Sequence, residues 1–71
     1  MFNFIKIEDN IWLNVNYITS IEYYPYGYRE SYYTIGYYLL IHTVDGSYKY
    51  DNKEEAMGII EKLRERGVFL E

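Results

Sequence analysis

The side chains able to do chemistry are few, and their spacing is uninformative. His42 is the single histidine. It falls within a β-rich run on an apolar face, where a structural or interfacial role is expected. A general base also needs a nucleophile and an orienting group, and no motif brings them to it. Ser20, Ser31 and Ser47 lack the G-x-S-x-G setting of a nucleophile elbow. Glu8, Asp9 and Asp45 fall in expected turns, where solvation accounts for them. With one histidine and no cysteine, a metal would have only oxygen ligands, and no calcium-loop spacing is present. Gly27 and Gly36 are isolated, so no phosphate loop forms. The expectation is a chain that is not an enzyme and has no catalytic residues, cofactor or metal.

The unusual feature is aromatic. The stretch YYPYGYRESYYTIGYY, residues 23–38, is half tyrosine. Three readings follow. Some rings fill the core, as strand alternation suggests for Tyr37 and for one of Tyr23 or Tyr24. Others form an interaction surface, because tyrosine offers broad contact at low conformational cost and Arg29 adds a typical hot-spot residue. The third reading is a stacking platform. Around Arg29 stand Glu22 and Glu30, so polymer nucleic acid is not expected. A small nucleotide, which needs one or two rings and one cation, remains compatible. A chain of 71 residues cannot supply a buried partner for every tyrosine hydroxyl. Part of the tract must therefore face solvent, and clustered exposed rings mark a binding patch. The expected partner-binding set is Tyr24, Tyr26, Tyr28, Arg29, Tyr32 and Tyr33.

The totals set the frame. One domain is the most this length allows, and a core that small leaves a thin stability margin. Without disulfides, large side chains or self-association must add to it, which makes a homodimer the simplest partner. The formal net charge of −4 argues against general nucleic-acid binding. No apolar run reaches the ~20 residues of a membrane span. The start, MFNFIKIEDN, lacks the pattern of a secretory signal, so the expected location is cytoplasmic.

The elements that would position these side chains read as α+β. FNFIKIED and NIWLNVN alternate and are joined by a polar turn, giving strands over 2–7 and 10–15. A short turn through Asn14 to Tyr17 leads to a strand over 19–24. Pro25 is expected to end that strand and PYGYRES to be a loop. Residues 33–44 form the longest strand. Ile35, Tyr37, Leu39 and Ile41 lie on one face and Tyr38, Leu40, His42 and Val44 on the other, so it is expected to be central and covered on both sides. Asp45-Gly46 signals a hairpin to a strand over 47–50.

Ala56, Ile59, Ile60 and Leu63 form one apolar stripe of a helix over 53–66. Asn52 with Glu55, or Asp51 with Glu54, fits a capping box. Gly67 fits a left-handed terminator with Val68 as its apolar contact. Gly58 weakens the helix by roughly 1 kcal/mol against alanine; the expected compensation is a bulky ring against its backbone. The whole is an antiparallel β-meander of about five strands with one C-terminal helix packed on one face.

IWLNVNYITSIE, then DGSYKY, then NKEEAMGIIEKL together resemble the FlbD (SwrD) family of small flagellar and swarming-motility proteins. The resemblance rests on Leu13-Asn14, Ile18, Ile21-Glu22 and Asp45-Gly46. It implies a shared scaffold of a strand, an Asn-containing turn, a hairpin and a terminal helix. Residues 23–33 depart from the family, which is usually short there. Two functional expectations come instead from the clustered rings, the lack of catalytic residues and the acidic balance. The first is a non-enzymatic protein-interaction module, homodimeric, using the Tyr/Arg-rich stretch. The second is an inhibitor of a host defence system encoded by a virus or mobile element. It would act in the host cytoplasm by acidic occlusion of a nucleic-acid groove or by sequestering a signalling nucleotide.

Overall fold

The computed structural model describes residues 3–68. Five antiparallel strands and one helix follow in order: β1 (Phe4–Glu8), β2 (Ile11–Asn14), β3 (Ile18–Arg29), β4 (Ile35–Thr43), β5 (Gly46–Tyr50) and α1 (Lys53–Glu65). The expected α+β architecture holds. The ladder is broken between β2 and β3, so β1-β2 and β3-β4-β5 form two sheets. A single 3-10 turn, Val15–Tyr17, makes the break, and the Asn14 side chain caps it by accepting from the Asn16 amide. Asn14 thereby satisfies a backbone donor that a continuing strand would have paired. Phe2, expected in the first strand, lies outside the described residues.

Alternation does its work in β1 and β2. Ile5 pairs with Leu13 and both are buried with Ile7, while Lys6 pairs with Trp12 on the outward side. The helix closes the core. Its stripe of Ala56, Ile59, Ile60 and Leu63 packs with Ile5, Ile7, Leu13, Leu39, Ile41 and Tyr50. Asn52 is the N-cap, with its side-chain oxygen accepting from the Glu55 amide at 2.9 Å. At the other end Gly67 adopts φ +73°, and the Val68 and Gly67 amides return to the Leu63 and Arg64 carbonyls. This is a Schellman arrangement, and Val68 packs on the core as its apolar contact. No ring covers Gly58: a Cβ there would meet open space, contrary to expectation.

The largest departure is in β3. Pro25 does not end it, and PYGYRES is not a loop. The strand runs on to Arg29, and the connection to β4 is the turn of residues 30–34. Tyr23 pairs with Leu39 and Tyr28 with Tyr37, so Tyr24 to Gly27 stand opposite Tyr38 alone. A wide bulge thus absorbs the proline, which needs no ladder donor there. Gly27 holds φ +91°, and Ile35 and Tyr38 pack so closely that a Cβ would lie 2.6 Å from Ile35 Cγ2. Only glycine fits both constraints.

β4 is central in its sheet, yet covered on one face rather than two. Leu39 and Ile41 are buried, whereas Leu40 and His42 are partly exposed on a face shared with Ser20, Glu22, Ser47 and Lys49. Tyr37 was expected beside Leu39. Its hydroxyl instead reaches Glu22, which pairs with Leu40, so Tyr37 belongs to the polar face. Tyr38 packs against the core in its place. The register irregularities around Tyr28 and Gly36 break the simple two-residue period. β5 ends at Tyr50, opposite Leu39. Beyond that pair β3 and β4 continue as a two-stranded ribbon.

Candidate functional site

The polar face of the three-stranded sheet is organised by one carboxylate. Glu22 Oε1 accepts from the Tyr37 hydroxyl at 2.9 Å and the Tyr24 hydroxyl at 3.3 Å, and Oε2 lies 2.9 Å from His42 Nε2. His42 Nδ1 lies 3.1 Å from Ser47 Oγ. An ionised carboxylate can only accept, so the imidazole proton sits on Nε2 and a neutral ring accepts the Ser47 hydroxyl at Nδ1. The bonds from His42, then Tyr37, hold the Glu22 carboxyl below its usual value, more than partial burial raises it. Partial burial first, and the bond to Glu22 next, push Tyr37 up to about 12. Tyr24 is raised by the same causes.

The serine, histidine and carboxylate are therefore brought together, which sequence spacing did not reveal. Their order matches a nucleophile, base and orienter. The Glu22–His42 pair sits on an open sheet face, each side chain about a third exposed. What the arrangement demonstrably does is fix the imidazole and tie β3 to β4 and β5. It also anchors a tyrosine trio. Tyr28 stacks on Tyr37 with centroids 5.0 Å apart and a 22° angle, and Tyr24 packs on both at 5.3 and 5.9 Å. Lys49 Nζ stands 5.9 Å from the Tyr37 centroid. The rings are too close to admit a cation between them, so this is a packed cluster and not a cage.

The six residues expected to meet a partner divide into two groups. Tyr24 and Tyr28 are held in the trio on the polar face, Tyr24 half-buried and Tyr28 still 43% exposed. Tyr26, Tyr32 and Tyr33 are 86%, 81% and 87% exposed. Tyr32 and Tyr33 sit edge to face at 4.7 Å in the turn that joins β3 to β4. The Arg29 guanidinium donates to the Tyr32 carbonyl at 3.1 Å, and the Glu30 amide to the Thr34 carbonyl at 2.9 Å. The turn is thus shaped by backbone and arginine contacts, leaving its two rings outward. Tyr26 projects from the bulge, with Lys53 Nζ 6.0 Å from its centroid.

Two concavities lie on the β1-β2 side. One of about 550 Å³ is lined by Ile7, Glu8, Asp9, Asn10, Ile11 and Glu55. Tyr50, buried in the core, donates to Glu8 at 3.3 Å beside it. The other, about 310 Å³, is lined by Trp12, Phe4, Ile5, Lys6, Lys62, Glu65 and Arg66. Among the described residues no group of three or more acidic or histidine side chains is placed to hold a metal ion. No described helix is long and apolar enough to cross a membrane. The chain matches no protein-family model, no curated protein and no solved structure.

Proposed function

We propose that the protein is a non-enzymatic interaction module that receives a protein partner on the β3-β4 ribbon. The observation that carries this reading is the state of Tyr26, Tyr32 and Tyr33, each more than four-fifths exposed, with Arg29 bonded to the Tyr32 carbonyl. The core does not use them, and the Glu22 hub leaves them free. Rings with amphipathic tips next to an arginine are the chemistry of interface hot spots. A second copy of the chain is the simplest partner, since pairing would cover the rings and enlarge a small core. Its scaffold resemblance to FlbD proteins lies in strand and turn positions and leaves the ribbon to specify the partner. The setting is the cytoplasm.

Replacing Tyr26, Tyr32 and Tyr33 together with alanine tests the reading. Partner capture is lost while the thermal midpoint stays near that of the parent. Capture that survives the triple change sinks it. The homodimer is tested separately by light scattering, and a monomer at high micromolar concentration removes it.

A second reading draws on a different surface. Glu8, Asp9 and Glu55 gather around the 550 Å³ concavity in a chain of net charge −4. Such a surface suits an inhibitor, encoded by a virus or mobile element, that occludes the basic groove of a nucleic-acid-binding protein of a host defence system. Competition between this protein and nucleic acid for a basic partner separates the two readings.

A further inference from the structure

The groove between the β1-β2 hairpin and the C-terminal end of α1 brings together two things. One is the chain's single tryptophan, Trp12, 57% exposed, with Phe4 at 43% beside it. The other is positive charge. Among the described residues, Lys6, Lys62, Arg66 and one carboxylate, Glu65, line the groove. Three of the seven basic residues are thus gathered in a chain whose formal charge is −4. Among the described lining residues the sign is opposite to that of the whole molecule.

Cross-strand pairing sets this up. Lys6 faces Trp12 in the β1-β2 ladder, and its Nζ stands 5.4 Å from the ring centroid. Lys62 donates to the Lys6 carbonyl, which fixes the helix against the hairpin and places its ammonium in the same groove. The helix end would ordinarily repel an anion through its unpaired carbonyls. Here the Leu63 and Arg64 carbonyls receive the Arg66, Gly67 and Val68 amides, which weakens that repulsion.

We propose that this groove binds a nucleotide, with the base stacked on the open part of Trp12 and the phosphates held by Lys6, Lys62 and Arg66. An exposed indole is a stacking platform for any base. Ammonium and guanidinium groups supply the charge-assisted bonds that phosphate accepts. The volume lies near the lower end of the roughly 300–1,000 Å³ typical of small-molecule sites. The site is separate from the ribbon, so it stands or falls independently of the protein-partner reading.

Trp12 is its own reporter. The full chain is titrated with ATP, adenosine and inorganic phosphate while tryptophan emission is followed. ATP quenches saturably, and adenosine, which lacks the charge-assisted contacts, and phosphate, which lacks the stacking, each bind roughly tenfold or more weakly. Lys62→Gln with Arg66→Gln weakens ATP to a similar degree, and added salt does the same. Circular dichroism confirms that the double variant is folded. Should it unfold, Lys6→Gln is read in its place. Calorimetry on Trp12→Leu removes the stacking contribution. Four results overturn the proposal: no saturable quenching, adenosine as tight as ATP, phosphate as tight as ATP, or charge variants that bind unchanged. An oligonucleotide that binds more tightly than ATP also overturns it, in favour of a polymer.

Discussion

His42 and Ser47 stand opposite each other across β4 and β5, with ring Nδ1 3.1 Å from the serine oxygen. The pairing follows from the turn. Thr43 pairs with Gly46 around Val44-Asp45, so the next pair outward must be His42 and Ser47. Glu22 completes the chain from the other ring nitrogen.

This chain fixes the tautomer. Nitrogen-15 spectra of the neutral ring should show the proton on Nε2, and Glu22→Gln should disturb that preference. Ser47→Ala should leave it unchanged and cost less than about 1 kcal/mol, as for a surface hydrogen bond. A neutral ring protonated on Nδ1 would contradict the geometry.

Acid should loosen the sheet through Glu22. Its folded-state carboxyl titrates below the usual 4.5, so its contribution is complete above that value and disappears as pH falls toward the depressed one. Urea midpoints measured from pH 7 down to pH 3, a range chosen to bracket roughly that region, should fall for the parent. Glu22→Gln should start lower and lose less on acidification. Parallel curves for the two proteins would rule out Glu22 as the source.

Alkali should act through the tyrosines bonded to carboxylates. Tyr37 is pushed up to about 12 from 10.0, and Tyr50, buried and bonded to Glu8, is raised further. Because the folded state keeps the proton longer, their contribution is whole below 10.0 and is lost as pH rises through the folded values. Tyrosinate absorbance should therefore include a late component that coincides with unfolding. Tyr37→Phe should reduce it, and an unchanged late component would show that Tyr37 is not its source.

The two glycines that the fold treats oppositely give a stability test. Gly58→Ala, in open space on the exposed side of α1, should stabilise by roughly 1 kcal/mol. Gly27→Ala should destabilise, since it meets both a left-handed backbone and the Ile35 side chain. Thermal melts of both variants settle the signs. Equal effects would show that the ribbon does not constrain Gly27.

Exposed rings should be modified before packed ones. Limited nitration followed by peptide mass spectrometry should mark Tyr26, Tyr32 and Tyr33 ahead of Tyr24, Tyr37 and Tyr50. Early modification of Tyr37 would contradict the packed trio.

Local patterns carried the scaffold into view. The helix stripe, Asn52 and Gly67 are set by neighbours in sequence, and each stands where periodicity or capping chemistry puts it; the hairpin signalled by Asp45-Gly46 is present, but it turns on Val44-Asp45, one residue earlier, with Gly46 already in β5. The extension of β3 was hidden because Pro25 and Gly27 ordinarily signal a loop. Only the pairing of Tyr28 with Tyr37 keeps them inside a strand. Tyr37 was misplaced for the same reason: a period of two cannot report a register change further along. The Glu22 hub gathers residues up to 25 positions apart, from Glu22 to Ser47, and no spacing rule joins them. The His42–Ser47 half was hidden too: a two-residue turn at Asp45-Gly46 would have set Lys49 opposite His42, and only the shift of the turn to Val44-Asp45 brings Ser47 there.

The bulge opposite Tyr38 divides the chain's obligations. On one side of the Tyr23–Leu39 pair lie most of the residues that close the core; on the other, beyond Tyr38, lie Tyr26, Arg29, Tyr32 and Tyr33, which close nothing. Selection can thus revise the turn without renegotiating the body, and an engineer can do likewise. Residues 30–34, beyond the Arg29–Ile35 pair, form a replaceable cassette between fixed joints, and the same scaffold could present a different set of contacts at its tip.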